Sequence, residues 1–126
     1  MHLKRQKSPK SWPIYRKGTK YIVRPTSGIQ NGVPLLIVLR DLLKIAKNRK
    51  EVKRAIHMKN IMVNNIPARD EKNSLFLFDT LSITPLKKSY RLEILDTRKI
   101  GLSEIKGSES NYKIVKVVNK KMLKGK

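Results

Sequence analysis

Asn48 and the Asn64-Asn65 step constrain this chain more than any other feature, because they fix where one short helix starts and where one short hairpin turns. Asn48 is a favourable N-cap, and Glu51 stands at the spacing of a capping box, in which each side chain reaches the other's backbone amide. The helix that starts there carries Val52, Ala55 and Ile56 on a narrow apolar stripe, with Arg49, Lys50, Lys53, Arg54 and His57 over the remaining surface. It is expected to end near Lys59-Asn60, where asparagine accepts the left-handed conformation of a C-terminal cap. Ile61-Met62-Val63 and Ile66-Pro67-Ala68 then flank Asn64-Asn65, the pattern of a tight hairpin, and Pro67, which has no amide to donate, confines its strand to a sheet edge.

Upstream, residues 34 to 47 read as another helix with proline in its first turn. Leu35, Leu39, Leu42, Leu43 and Ala46 form one stripe of a 3.6-residue period, while Arg40, Lys44 and Lys47 recur on a second, so this helix is expected to show one face to a core and one to solvent or an anion. Downstream, Leu75 to Phe78, Leu81 to Ile83 and Tyr90 to Leu95 are strand candidates, and Ile114 to Val118 is one more. Residues 1 to 33 are punctuated by Pro9, Pro13, Pro25, Gly18, Gly28 and Gly32 too often for a long helix, and only Tyr21-Ile22-Val23 suggests a short strand. The expected organisation is an α+β fold: a basic arm over 1–33, a two-helix and hairpin domain over 34–95, and the start of a further β region or a basic tail over 96–126.

Charge decides the class of partner. Thirty Lys and Arg against nine Asp and Glu give a formal net charge of +21, more than solubility requires, and point to a polyanion. The layout is uneven: no acid precedes Asp41 and none follows Glu109, so both ends are purely cationic and all acids lie in the centre. Trp12, Tyr15 and Tyr21 sit among the lysines and arginines of the arm, a composition suited to stacking on bases or packing in an RNA crevice. No stretch approaches a membrane span, and with no cysteine neither disulfides nor thiolate metal sites are available, so a cytosolic setting is the default.

The same residues argue against catalysis. His2 and His57 are far apart and neither has the partner spacing of a metal pair or an acid–base couple. Asp70-Glu71 are sequence neighbours, which do not face one site in regular structure, and a turn beside the hairpin accounts for them. Gly18, Gly28 and Gly32 lack the strand-to-helix context of a phosphate loop. No enzyme activity, cofactor, metal or small-molecule substrate is expected.

Ala46-Lys47-Asn48-Arg49-Lys50-Glu51-Val52 followed by Ile61-Met62-Val63-Asn64-Asn65 resembles the αL RNA-binding motif, a two-helix and hairpin module found in a bacterial small-subunit ribosomal protein and in several rRNA-modifying enzymes. Lys59 and Asn65 stand where that motif usually has glycine. A wider resemblance rests on His2-Leu3-Lys4-Arg5, Pro9-Lys10, Trp12-Pro13, Arg24-Pro25, Ser27-Gly28, Pro34-Leu35-Leu36, Arg69-Asp70, Phe78-Asp79 and Leu81-Ser82-Ile83. In order and spacing these are similar to the archaeal and eukaryotic e-type small-subunit ribosomal protein four. That family has a basic arm, the αL module, a central β domain and a C-terminal β-barrel. Its chains begin with several more basic residues and continue well past the position of Lys126, so strands from Tyr90 onward are expected to lack partners.

The resemblance implies a cytoplasmic structural constituent of the small ribosomal subunit, with small-subunit rRNA and neighbouring small-subunit proteins as partners. Lys4, Arg5, Lys7, Lys10, Trp12, Arg16 and Lys17 of the arm would enter rRNA crevices. Arg40, Lys44, Lys47, Arg49, Lys50, Lys53, Arg54 and Lys59, with Arg69, would grip phosphates, and the guanidinium of Arg49 is suited to a bidentate contact. Two alternatives stand beside this: an RNA-binding adaptor of an rRNA-modifying or ribosome-rescue system, and a membrane-surface protein with the helix over 34–47 lying on anionic lipid.

Overall fold

In a computed structural model describing residues 2–126, a five-stranded antiparallel sheet and two short helices share one hydrophobic core with the N-terminal arm. The elements run β1 (Leu3–Lys4), β2 (Tyr21–Ile22), β3 (Val33–Pro34), a helical segment α1 (Leu35–Ile37) that continues as a π-turn (Val38–Leu42), α2 (Arg49–His57), β4 (Ile61–Val63), β5 (Ile66–Pro67), β6 (Ser74–Leu75), β7 (Thr80–Ile83), β8 (Lys88–Ile94) and β9 (Ile100–Ile105). The large sheet has the order β5-β4-β7-β8-β9; β1 pairs with β2 and β3 with β6 in two smaller ribbons. This is the α+β architecture expected.

The hairpin follows its sequence signals. Asn64 and Asn65 both take positive φ, 51° and 64°, as a two-residue turn matching the strand twist requires. Asn64 also ties the turn to the next strand: its amide donates to the Thr80 carbonyl at 2.9 Å, and its side-chain oxygen accepts from the Thr80 amide at 3.0 Å. Pro67 lies in β5 at the sheet edge, where its missing donor leaves no ladder bond unmade.

The first helix departs from expectation. Rather than one amphipathic helix over 34–47, Leu35 to Leu39 are buried on every side, and a helix apolar all round belongs inside a core. The Leu43 amide bonds the Val38 carbonyl five residues back, and at Lys44 the backbone turns left-handed (φ 56°), ending the helix. Arg40, Lys44 and Lys47 therefore do not form one helical stripe. Leu35 and Leu39, which the lipid-surface alternative would set against lipid, are covered by the core instead. Among the described residues, no helix is long and apolar enough to cross a membrane.

Helix α2 starts as its cap dictates. The Asn48 side chain accepts from the Glu51 amide at 3.1 Å, while the Glu51 carboxylate reaches back to the Lys47 amide at 2.8 Å, one residue before the partner of a regular capping box. Val52 and Ile56 are buried, with Ala55 partly buried beside them. At the C-terminus it is Lys59, not Asn60, that takes the left-handed conformation (φ 57°), because the Asn60 amide is held by the Ala55 carbonyl at 3.1 Å. A Cβ in that region is strained, so Lys59→Gly should stabilise the chain by about 0.5–1 kcal/mol, read as a higher urea midpoint at unchanged slope.

Other expectations need correction downstream. Of the Leu75 to Phe78 stretch only Leu75 is strand, at the end of Ser74–Leu75, because Phe78 turns with φ 68° and the Asp79 carboxylate accepts the Phe76 amide at 2.8 Å. Strand β8 does not lack partners: it pairs with β7 (Leu81↔Tyr90) on one side and β9 (Leu92↔Leu102) on the other. Ile114 to Val118 lie outside any strand and are exposed. The segment before them is clasped to the sheet. The Arg91 guanidinium donates to the Glu109 and Tyr112 carbonyls at 3.0 and 3.2 Å, and Lys113 pairs with buried Asp79.

Candidate nucleic-acid interface

Helix α2 presents Lys50, Lys53, Arg54 and His57 to solvent, because its apolar stripe faces the core and its cap fixes the rotation. Arg49 is placed differently from the phosphate-gripping role expected. Its Nε and one terminal nitrogen both donate to a single oxygen of Glu71, at 2.9 and 2.5 Å, and Lys53 lies 3.8 Å from the same oxygen. Glu71 is 3% exposed, and its carbonyl accepts the Leu36 amide at 3.0 Å. Glu71 thus joins α2, through its carboxylate, to the start of α1, through its carbonyl, and the Arg49 fork is committed to holding it.

Burial alone would push the Glu71 carboxyl up, but hydrogen bonds from Asp70 and Arg49 outweigh it and hold its pKa at about 2, against an ordinary 4.5. Asp70 moves up, first through that same hydrogen bond to Glu71 and then through burial. A carboxyl depressed in the folded state contributes stability that is complete above pH 4.5 and is lost as pH falls from there to about 2. Arg49 is half-exposed and Asp70 shifts the opposite way, so the discounted contribution is roughly 1–2 kcal/mol. Acid titration of unfolding free energy should show this loss in the native chain and a flatter limb in Glu71→Gln. The only sequence signal for this partner is an acidic pair beside the hairpin, within reach of a helix whose many bases have almost no acid of their own.

In the arm, Lys4, Lys7, Lys10, Arg16 and Lys17 are exposed and make no ion pair among the described residues. Arg5 is committed inward instead: its guanidinium donates to the carbonyls of Tyr15 (2.7 Å) and Thr19 (2.8 Å) and to the Thr19 hydroxyl (3.0 Å), shaping the loop that displays Arg16 and Lys17. Trp12, expected to stack on bases, is 1% exposed and donates its indole N–H to the Gly32 carbonyl at 2.9 Å. It is a core residue that pins the arm to the domain. Of the three arm aromatics, Tyr15 (83% exposed) and Tyr21 (46% exposed) are the ones presented outward.

Beyond the first helix, Arg40 pairs with Asp41 at 3.2 Å, and Lys44 and Lys47 are exposed on the loop into α2. Lys59 and Arg69 are exposed at either side of the hairpin without an ion pair among the described residues. Asp41, Glu71 and Asp79 are each engaged by a neighbouring cation, so they do little to neutralise the lysines that remain free. No group of three or more His, Asp and Glu placed to hold a metal ion occurs among the described residues. The chemistry available is that of a multivalent cation with two exposed tyrosine rings on its arm.

Residues 1–28 match the family model described as the RS4NT (NUC023) domain. The chain is 38% identical to small ribosomal subunit protein eS4 of Methanocella arvoryzae, over 98% of this chain and 53% of that protein. It is also 38% identical to eS4 of Korarchaeum cryptofilum, over 98% and 54%. In fold it is similar to the crystal structure of 30S ribosomal protein S4e from Thermoplasma acidophilum, with a TM-score of 0.54 at 23% identity, covering 64% of this chain and 41% of that one. The resemblance read from the arm and the αL motif therefore holds along almost the whole sequence: this chain is similar to small ribosomal subunit protein eS4, and it spans about half the length of the curated relatives it matches.

Proposed function

We propose that this chain is a structural constituent of the small ribosomal subunit in the cytoplasm, binding its rRNA through phosphate contacts from the arm and from the α2 side of the domain. The observation that carries the reading is the set of exposed, unpaired cations on two surfaces the fold holds together: Lys4, Lys7, Lys10, Arg16 and Lys17 on the arm, and Lys50, Arg54, Lys59 and Arg69 around α2 and the hairpin. Cations with no acid to satisfy them, on a surface held rigid by a shared core, suit a folded RNA whose phosphate positions are themselves fixed. The similarity to proteins named eS4 selects small-subunit rRNA among the possible polyanions. Arg49 takes a positioning role in this proposal and Trp12 a structural one.

Crosslinking the chain to RNA in cells and sequencing the attached fragments tests it. Small-subunit rRNA should dominate, and the same chain should cofractionate with small subunits. Crosslinks concentrated in large-subunit rRNA, or a stable complex with a separate catalytic chain, would favour an adaptor of an rRNA-modifying or ribosome-rescue system.

A further inference from the structure

Between the β1–β2 ribbon and the two helices lies a cleft of about 320 Å³ lined by aromatic, aliphatic and cationic side chains. Tyr21 and His2 supply the rings, their centres 5.1 Å apart and tilted by 46°. Arg24, Arg40, Arg49 and Lys72 supply the charge. Arg40 and Arg49 are already paired with Asp41 and Glu71, which fixes their position. Arg24 and Lys72 make no side-chain hydrogen bond or ion pair among the described residues. They are nevertheless brought together by the fold, because the amide and hydroxyl of Thr26 both donate to the Lys72 carbonyl, at 3.0 and 2.9 Å.

We propose that this cleft holds a single unstacked nucleotide of the bound RNA, its base against Tyr21 and its two flanking phosphates on Arg24 and Lys72. The inference rests on the RNA-binding reading above and names a subsite within it. Arg24 and Lys72, the two lining cations without an ion pair among the described residues, are the charges available to the two phosphodiesters that flank one nucleotide. The volume lies at the small end of ligand pockets, roughly 300–1,000 Å³, enough for a base and too narrow for a paired helix. A half-exposed ring inside a concave site can meet a splayed-out base but not one stacked within a duplex.

The probe is adenosine 3′,5′-bisphosphate, followed by NMR on the whole chain, with inorganic phosphate at matched ionic strength as the control. Shifts should centre on Tyr21, Arg24 and Lys72, with ring-current changes at Tyr21 that inorganic phosphate does not produce. Tyr21→Ala should abolish those shifts and Tyr21→Phe should keep them; Arg24→Gln, outside the β1–β2 pairing, should weaken them if Tyr21→Ala perturbs folding. On small-subunit rRNA, Tyr21→Ala should lower affinity about tenfold, the order of one stacked base, with an unchanged salt slope. Equal responses to bisphosphate and inorganic phosphate, or native rRNA affinity in Tyr21→Ala, would overturn the subsite. Failure of the native chain to bind small-subunit rRNA while the bisphosphate still binds would instead remove the ribosomal reading and leave the nucleotide cleft.

Discussion

Raising monovalent salt from 50 to 200 mM should weaken binding of the chain to small-subunit rRNA by about a thousandfold. Eleven of the candidate contact residues are exposed cations without an ion pair among the described residues: Lys4, Lys7, Lys10, Arg16, Lys17, Lys44, Lys47, Lys50, Arg54, Lys59 and Arg69. If about half of these reach phosphates, some six counterions are released, and a log–log slope near −5 follows by analogy with duplex nucleic acid. Individual substitutions sharpen the test. Lys50→Gln and Arg54→Gln should each flatten the slope by about one, because each removes a free charge. Arg49→Gln should change the slope little, since its charge is already paired with Glu71 at 2.5 Å, and should instead reduce stability. A slope near −1 in filter-binding or fluorescence titration would show that the free cations do not meet phosphates, and the proposed function would fall with it.

Replacing Trp12 by alanine should destabilise the fold by about 3–5 kcal/mol, the usual cost of removing a large buried ring. Trp12 packs in the same cluster as Leu3 and Val33, and it also supplies the hydrogen bond to the Gly32 carbonyl, which alanine would leave unsatisfied. Trp12→Phe separates these effects: it keeps most of the ring and should cost about 1–2 kcal/mol, mainly the hydrogen bond and residual volume. Urea unfolding followed by circular dichroism reads both values, because indole fluorescence is lost with the residue. For a domain of this size the alanine variant would lose a large part of its total stability. The folded Trp12→Phe protein should bind rRNA with the native salt slope, since the ring faces the core. A Trp12 substitution that instead lowered RNA affinity at constant stability would contradict the burial of this ring.

The local elements are legible in the sequence because each rests on a short-range rule. Asn48 as a cap, Asn64-Asn65 as a turn with two positive φ angles, and Pro67 at a sheet edge depend only on neighbours a few residues away. The α+β class and the cationic arm are equally readable, because composition and periodicity carry them. The arm and αL motif also carry the eS4 resemblance.

What tertiary structure alone decided were the roles of side chains whose partners lie far along the chain. Arg49 and Glu71 are separated by a helix and a hairpin, so nothing in the spacing of either shows that the guanidinium closes on a buried carboxylate rather than on a phosphate. Trp12 among lysines looks like a stacking ring until the fold places the Gly32 carbonyl beneath its N–H. Residues 34 to 47 fit an amphipathic helix by period, yet Leu35 to Leu39 are buried on all sides in the shared core and the helix ends at Lys44. Strand β9 and the clasp of Arg91 on the carbonyls of Glu109 and Tyr112 are likewise invisible locally, because pairing and burial are long-range. Sequence thus determined the capped helix, the asparagine turn and the sign of the charge, while the packing decided the remaining elements and which cations remain free to act.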